Sequence, residues 1–166
     1  MARVYYLPMR LLGVDFGQRR LGLALSDATA ALARPWRTVP ASATPVASAA
    51  ALADLVASLR DREDPEAGDI SEIVVGLPKR LNGADTDQTQ PAREFTRVLA
   101  ERSGLPVHLQ DERLSSHEAD RLLAERERDW RKRKAQLDAA SAAIILQDFL
   151  DARARLAALG QTSDRC

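Results

Sequence analysis

Residues 11–27 read LLGVDFGQRRLGLALSD, a sequence that predicts two strands joined by a tight turn. Its apolar start predicts a strand over residues 11–16, and residues 21–26 alternate large and small side chains as a second strand does. Because only a short turn separates the two strands, they must pair antiparallel. Asp15 closes the first strand, either as a turn-forming residue or as a charge that the chemistry of a site requires.

The rest of the chain predicts three more strands and further helices. Thr44 and Pro45 mark the start of the first helix, and Gly104 marks the end of the second. The predicted elements are a strand at 35–39, a helix at 44–62, a strand at 73–78, a helix at 91–103, a strand at 106–109, a helix within 111–125, a charged linker at 126–134 and a final helix at 135–150.

This order predicts an α/β fold with a mixed five-stranded sheet, in which an antiparallel hairpin meander joins parallel strands flanked by helices. It is the element order of the ribonuclease H-like fold. We expect one domain over residues 10–150, with residues 1–9 and 151–166 as terminal extensions.

Composition excludes several function classes. Lys plus Arg and Asp plus Glu each number 24, so any nucleic-acid contact must rest on local basic patches. The single cysteine, Cys166, permits no disulfide within the chain and no cysteine-rich metal site. No apolar run is long enough to span a bilayer and no signal peptide is recognisable, so a cytoplasmic protein without membrane contact is expected.

Three acids stand at the ends of predicted elements. Asp15 lies at the end of strand one, Glu112 follows the last strand, and Asp138 lies in the first turns of the final helix, in line with Ala142 and Ile145. Each also has a structural interpretation: Asp15 as a turn residue, Glu112 as a partner of a helix dipole, and Asp138 as a solvated charge near a helix start.

Together the acids indicate a metal site, because the sheet edge can bring all three together. Clustered carboxylates repel one another and need compensation. Mg²⁺ takes oxygen ligands, and a metal pair can activate water and stabilise the leaving oxygen in phosphodiester cleavage. The carboxylates would then be metal ligands, and Mg²⁺ or Mn²⁺ the cofactor.

Four motifs, GVDFGQRRLGLALSD, IVVGLPKRLNG, DERLSS and LDAASAAIILQDFL, resemble in order and spacing those of the YqgF (RuvX) family. The resemblance covers roughly residues 10–150. Members of this family are bacterial ribonuclease H-like proteins described as Holliday-junction resolvases and as nucleases that mature the 5′ end of pre-16S ribosomal RNA. The resemblance implies that the catalytic acids are Asp15, Glu112 and Asp138.

Basic residues beside these acids are candidates for nucleic-acid binding. The segment 126–134, RERDWRKRK, would hold phosphates and make binding salt-dependent, with Trp130 either stacked on an unpaired base or packed on a neighbouring element. The full set of candidates is Arg19, Arg20, Lys79, Arg80, Arg113, Trp130, Arg131 and Lys132.

Four hypotheses follow. The first is a metal-dependent endonuclease acting on structured RNA, with ribosomal precursor particles as partners. The second is a resolvase of branched DNA, which needs two symmetric cuts and hence a homodimer. The third, a sugar kinase or actin-like ATPase, requires a second domain for which the chain is too short. The fourth is a non-catalytic nucleic-acid-binding ribosome or transcription factor.

Overall fold

The computed structural model describes residues 9–112 and 130–163, which form a sheet with helices on both faces. The strands are β1 (Met9–Phe16), β2 (Arg20–Ser26), β3 (Ala33–Pro40), β4 (Asp69–Pro78) and β5 (Val107–Glu112). The helices are α1 (Pro45–Asp61), α2 (Thr89–Ser103) and α3 (Trp130–Ser163).

The five strands lie in the order β3-β2-β1-β4-β5. β1 pairs antiparallel with β2, as does β2 with β3, whereas β1 with β4 and β4 with β5 are parallel. The predicted mixed, ribonuclease H-like sheet is confirmed. The parallel strands end at the same edge, so the residues that close β1, β4 and β5 meet there.

The two sheet faces differ in side-chain size, as the alternation in β2 predicts. Large aliphatic side chains fill the face under α1 and α2, where the fully buried residues include Leu12, Val14, Leu21, Leu23, Leu25, Leu52, Ile73, Phe95 and Leu99. Small residues on the other face let α3 pack closely through Ala142, Ile145, Leu146 and Leu150.

The small residues on this face leave no open space beside Gly22. A β-carbon there would lie 1.9 Å from the backbone oxygen of Asp138, so α3 itself occupies the space. Gly13 is covered in the same way, since its β-carbon would lie 2.7 Å from that of Leu146. These glycines serve close helix–sheet packing.

Local signals place the start of α1 and the end of α2 correctly. The Thr44 hydroxyl accepts a hydrogen bond from the Ala47 amide at 3.1 Å, and Pro45 begins α1. Gly104 ends α2 in the left-handed conformation, with φ of 66°.

The prediction of a linker over residues 126–134 is wrong from residue 130 onward, because α3 begins at Trp130. The helix also continues beyond its predicted end at residue 150, to Ser163. Lys and Arg have high helix propensity, and residues 130–159 contain neither Gly nor Pro to end the helix.

β5 also runs past its predicted end, since Asp111 and Glu112 continue the ladder with β4. The helix expected within 111–125 lies almost wholly outside the described residues. Within the described ranges, no helix is both long and apolar enough to cross a membrane.

Candidate active site

The three predicted acids come to one edge and one face of the sheet. Asp15 is the penultimate residue of β1 and Glu112 is the last of β5. Asp138 lies in the third turn of α3, the helix that covers this face. The sequence placed Asp15 correctly at the end of β1, whereas β5 extends beyond its predicted end to include Glu112. α3 adds the third acid by crossing over β2.

Asp15 lies between two glycines, one on each neighbouring strand. Gly22 pairs directly with it on β2, and the pairing of Val14 with Val75 puts Gly76 of β4 level with it on the other side. Because neither glycine has a side chain, other groups can approach the Asp15 carboxylate from both directions.

Glu112 and Asp138 use these two openings. Oε2 of Glu112 lies 2.8 Å from the point where a β-carbon on Gly76 would stand, so its side chain reaches across β4 toward Asp15. On the other side, the backbone of Asp138 lies directly over Gly22. Sequence reasoning missed Gly76, although a glycine within a β-branched run is a known sign of close approach in a strand.

The pKa of Asp15 reflects its burial and the two nearby carboxylates. Burial raises the pKa of Asp15 well above its ordinary value, and the carboxylates of Glu112 and then Asp138 raise it further. Glu112 and Asp138 are therefore each near enough to Asp15 to repel its carboxylate through a poorly solvated space. A bound cation would relieve this repulsion.

Carboxylate oxygens are the donors that Mg²⁺ and Mn²⁺ prefer, so the residues present fit such an ion in kind. As they stand, however, no three His, Cys, Asp or Glu side chains among the described residues converge into one ready ligand group. This spacing suits ions that are each held by one or two of the carboxylates and completed by water and substrate phosphate, as is usual for Mg²⁺.

Arg20 contacts the site directly. Its Nε donates a hydrogen bond to Oδ2 of Asp138 at 2.8 Å, and both side chains are about one third exposed, at 32% and 27%. The sequence proposed Arg20 as a nucleic-acid contact, and the ion pair with Asp138 was not foreseen.

A groove leads away from Asp138 along the β1–β2 turn. A hollow of about 350 Å³ lies between Asp138, the turn residues 16–20 and Gln88. A second hollow, of about 450 Å³, shares the turn and Gln88 and extends to residues 42–45 at the start of α1. Gly17 shapes this turn, since its amide donates to the Arg20 carbonyl at 3.0 Å and a β-carbon there would collide with the same oxygen.

The other predicted basic residues differ in their surroundings. Arg19 is exposed and lines the groove, and Arg80 is exposed in the loop after β4. Lys79 is mostly buried and pairs with Asp85 at 2.5 Å, which closes that loop. Arg113 lies outside the described residues, as do the side chains of Trp130, Arg131 and Lys132, whose backbone belongs to the first turn of α3.

Comparison with known proteins gives a consistent assignment. The family model described as RuvX: Holliday junction resolvase matches residues 9–152. A Koribacter versatilis protein named "Putative pre-16S rRNA nuclease" is 43% identical over 87% of this chain and 88% of its own length. An Anaeromyxobacter protein of the same name is 40% identical over 87% of this chain and 98% of its own.

Among solved structures, Thermus thermophilus RuvC in complex with a Holliday junction substrate is 19% identical, with a TM-score of 0.46, over 87% of this chain and 95% of that one. The match of the family model over the whole described sheet and most of α3, together with relatives of 40% identity or more, decides the assignment. The chain belongs to the RuvX family.

Proposed function

We propose that this protein is a metal-dependent endonuclease that hydrolyses phosphodiester bonds and matures the 5′ end of pre-16S ribosomal RNA in the cytoplasm. The observation that carries the proposal is the position of Asp15, whose carboxylate lies between glycines with two further carboxylates near it. The relatives named as pre-16S ribosomal RNA nucleases support the choice of substrate.

Asp15, Glu112 and Asp138 would hold Mg²⁺ or Mn²⁺. When bound, a divalent cation supplies a water nucleophile of lowered pKa and charge stabilisation for the leaving oxygen. Asp15 is the central ligand, because it stands between the other two acids and its strand is central in the sheet. The helix and strand backbones that carry the acids hold them in place before substrate arrives.

The groove along the β1–β2 turn would receive the substrate backbone on one side of the cleaved bond. Arg19 lines it and would neutralise a phosphate, which adds to the salt dependence of binding. Arg80, Arg113 and the basic start of α3 stay proposed contacts for more distant phosphates, with Trp130 as a proposed stacking residue. Lys79 is a weaker candidate, because Asp85 already neutralises its charge.

Branched DNA is the second candidate substrate, and the description of the matching family favours it. Resolution of a four-way junction requires two symmetric cuts and therefore a homodimer. A non-catalytic binding role in ribosome assembly or transcription is the third candidate. It would not explain why two further carboxylates lie close to the buried Asp15.

One experiment separates the three candidates. Purified protein is incubated with 5′-extended precursor ribosomal RNA and with a four-way DNA junction, each with and without Mn²⁺. We expect Mn²⁺-dependent cleavage of the RNA at a defined position, with the junction left intact. Cleavage of the junction alone would favour the resolvase, and binding without cleavage of either would favour the non-catalytic role.

A further inference from the structure

Arg20 links two parts of the site that are far apart in the chain. It is the first residue of β2, and its partner Asp138 lies 118 positions later, on α3. The backbone of Asp138 is already fixed by its contact with Gly22. This backbone contact does not set the direction of the Asp138 carboxylate. The hydrogen bond from Arg20 Nε to Asp138 Oδ2 sets that direction.

A directing contact is needed at this position. Asp138 lies near Asp15, so repulsion between the carboxylates favours side-chain conformations that turn Asp138 away from Asp15. Arg20 supplies the opposite charge at 2.8 Å and offsets that repulsion. An arginine suits the task because its planar guanidinium forms hydrogen bonds of fixed direction.

The ion pair contributes little to overall stability. Both side chains are partly exposed, and ion pairs in such surroundings are weakened by solvent. The loss of this contact should therefore affect the geometry of the site much more than the folding of the chain.

We propose that Arg20 is a positioning residue of the nuclease reaction, which holds the Asp138 carboxylate in the direction that metal and substrate phosphate require. This inference rests on the proposed function. It also separates Arg20, whose guanidinium is paired with Asp138, from Arg19, its neighbour in the turn, which is exposed and lines both hollows of the groove. Arg20 would act through Asp138, whereas a phosphate-binding arginine would act on substrate affinity.

The test compares Arg20→Gln and Arg20→Lys with wild type. Arg34→Ala is the matched control, because Arg34 is also a strand arginine paired with an acid, Glu66, but it lies opposite Leu25 at the far end of β2. The measurements are kcat and KM for Mn²⁺-dependent cleavage, the melting temperature, and the Kd for precursor RNA without divalent cations, measured by fluorescence anisotropy.

We expect Arg20→Gln to lower kcat by about 10- to 100-fold, the usual range for residues that orient metal ligands. KM and the Kd for RNA should stay within about twofold of wild type, as expected for a group that does not touch substrate. Arg20→Lys, which keeps the charge, should recover part of the rate, and Arg34→Ala should match wild type.

Two results would overturn the inference while the proposed function stands. One is an Arg20→Gln protein with unchanged kcat, and the other is a loss that appears mainly in KM and in the Kd for RNA, as a phosphate contact would produce. Wild-type protein that cleaves neither substrate would instead overturn the proposed function and this inference with it.

Discussion

Replacement of Gly22 by alanine would force α3 away from the sheet. A β-carbon on Gly22 would lie 1.9 Å from the backbone oxygen and 2.2 Å from the carbonyl carbon of Asp138. Because both are backbone atoms, no change of side-chain conformation relieves the collision. β2 is held by β1 on one side and β3 on the other, so the helix must move.

The size of the movement follows from the same distances. Contacts of a β-carbon below 3.0 Å are essentially absent from real proteins, so the separation must grow from 1.9 Å by at least about 1.1 Å. Overpacking of this kind costs about 1–3 kcal/mol of folding free energy. A displacement of about 1 Å in a catalytic group lowers rates by about 100-fold. Asp138 would be displaced by this amount relative to both Arg20 and Asp15.

Gly160→Ala is the matched control, since Gly160 lies on the same helix with nothing within 4 Å of its would-be β-carbon. Alanine there should raise the free energy of unfolding by up to about 1 kcal/mol through helix propensity. Urea unfolding gives the stabilities, and initial rates of Mn²⁺-dependent RNA cleavage give the activities. The reasoning is refuted if Gly22→Ala matches Gly160→Ala in both measurements.

Three further predictions concern stability. Glu72→Gln should cost about 1 kcal/mol near neutral pH, because Glu72 accepts hydrogen bonds from Arg153 and His108. Burial acts to raise the pKa of Glu72, but these bonds leave it below the ordinary value, so the stabilisation by Glu72 is complete above its pKa in the unfolded chain and is lost as pH falls through its pKa in the folded protein. Urea titrations of wild type and Glu72→Gln should therefore show a smaller difference in stability at about pH 3 than at about pH 7. An equal difference at both pH values would contradict this. Thr44→Ala should lower the free energy of unfolding by about 1 kcal/mol, measured by thermal unfolding, because it removes the N-cap of α1. Thr44→Ser should stay close to wild type, and an equal loss of stability in the two variants would count against the cap. Gly104→Ala should cost about 1 kcal/mol through its positive φ alone, since the space is open, and a neutral result in urea would argue against strain there.

Local patterns sufficed for much of the fold. The alternation in β2, the cap at Thr44 and the stop at Gly104 are each encoded within a few residues, and the strands and the first two helices follow from them. The end of β5 was missed because it depends on pairing with β4, a partner distant in sequence. The charged start of α3 differs from the predicted linker because the helix propensity of Lys and Arg outweighs the high polarity of the segment.

The site was predictable in position and only partly in detail. Strand ends indicated where Asp15 and Glu112 would lie, but not that Gly22 and Gly76 flank Asp15. The positions of these glycines beside Asp15 depend on the pairing register of three strands, and the contact with α3 depends on where along the strands the helix crosses them. The contact of Arg20 with Asp138 depends on the same long-range packing, so no local pattern of residues indicates it.

The rate of Mn²⁺-dependent RNA cleavage by Asp15→Asn tests the central claim most directly, with Glu112→Gln and Asp138→Asn assayed beside it. Asparagine and glutamine keep the size of the acids and remove the charge that a divalent cation requires. We expect each variant to melt as a folded protein and to show no cleavage at any Mn²⁺ concentration. Full activity in all three variants would contradict the assignment of this carboxylate cluster as the active site.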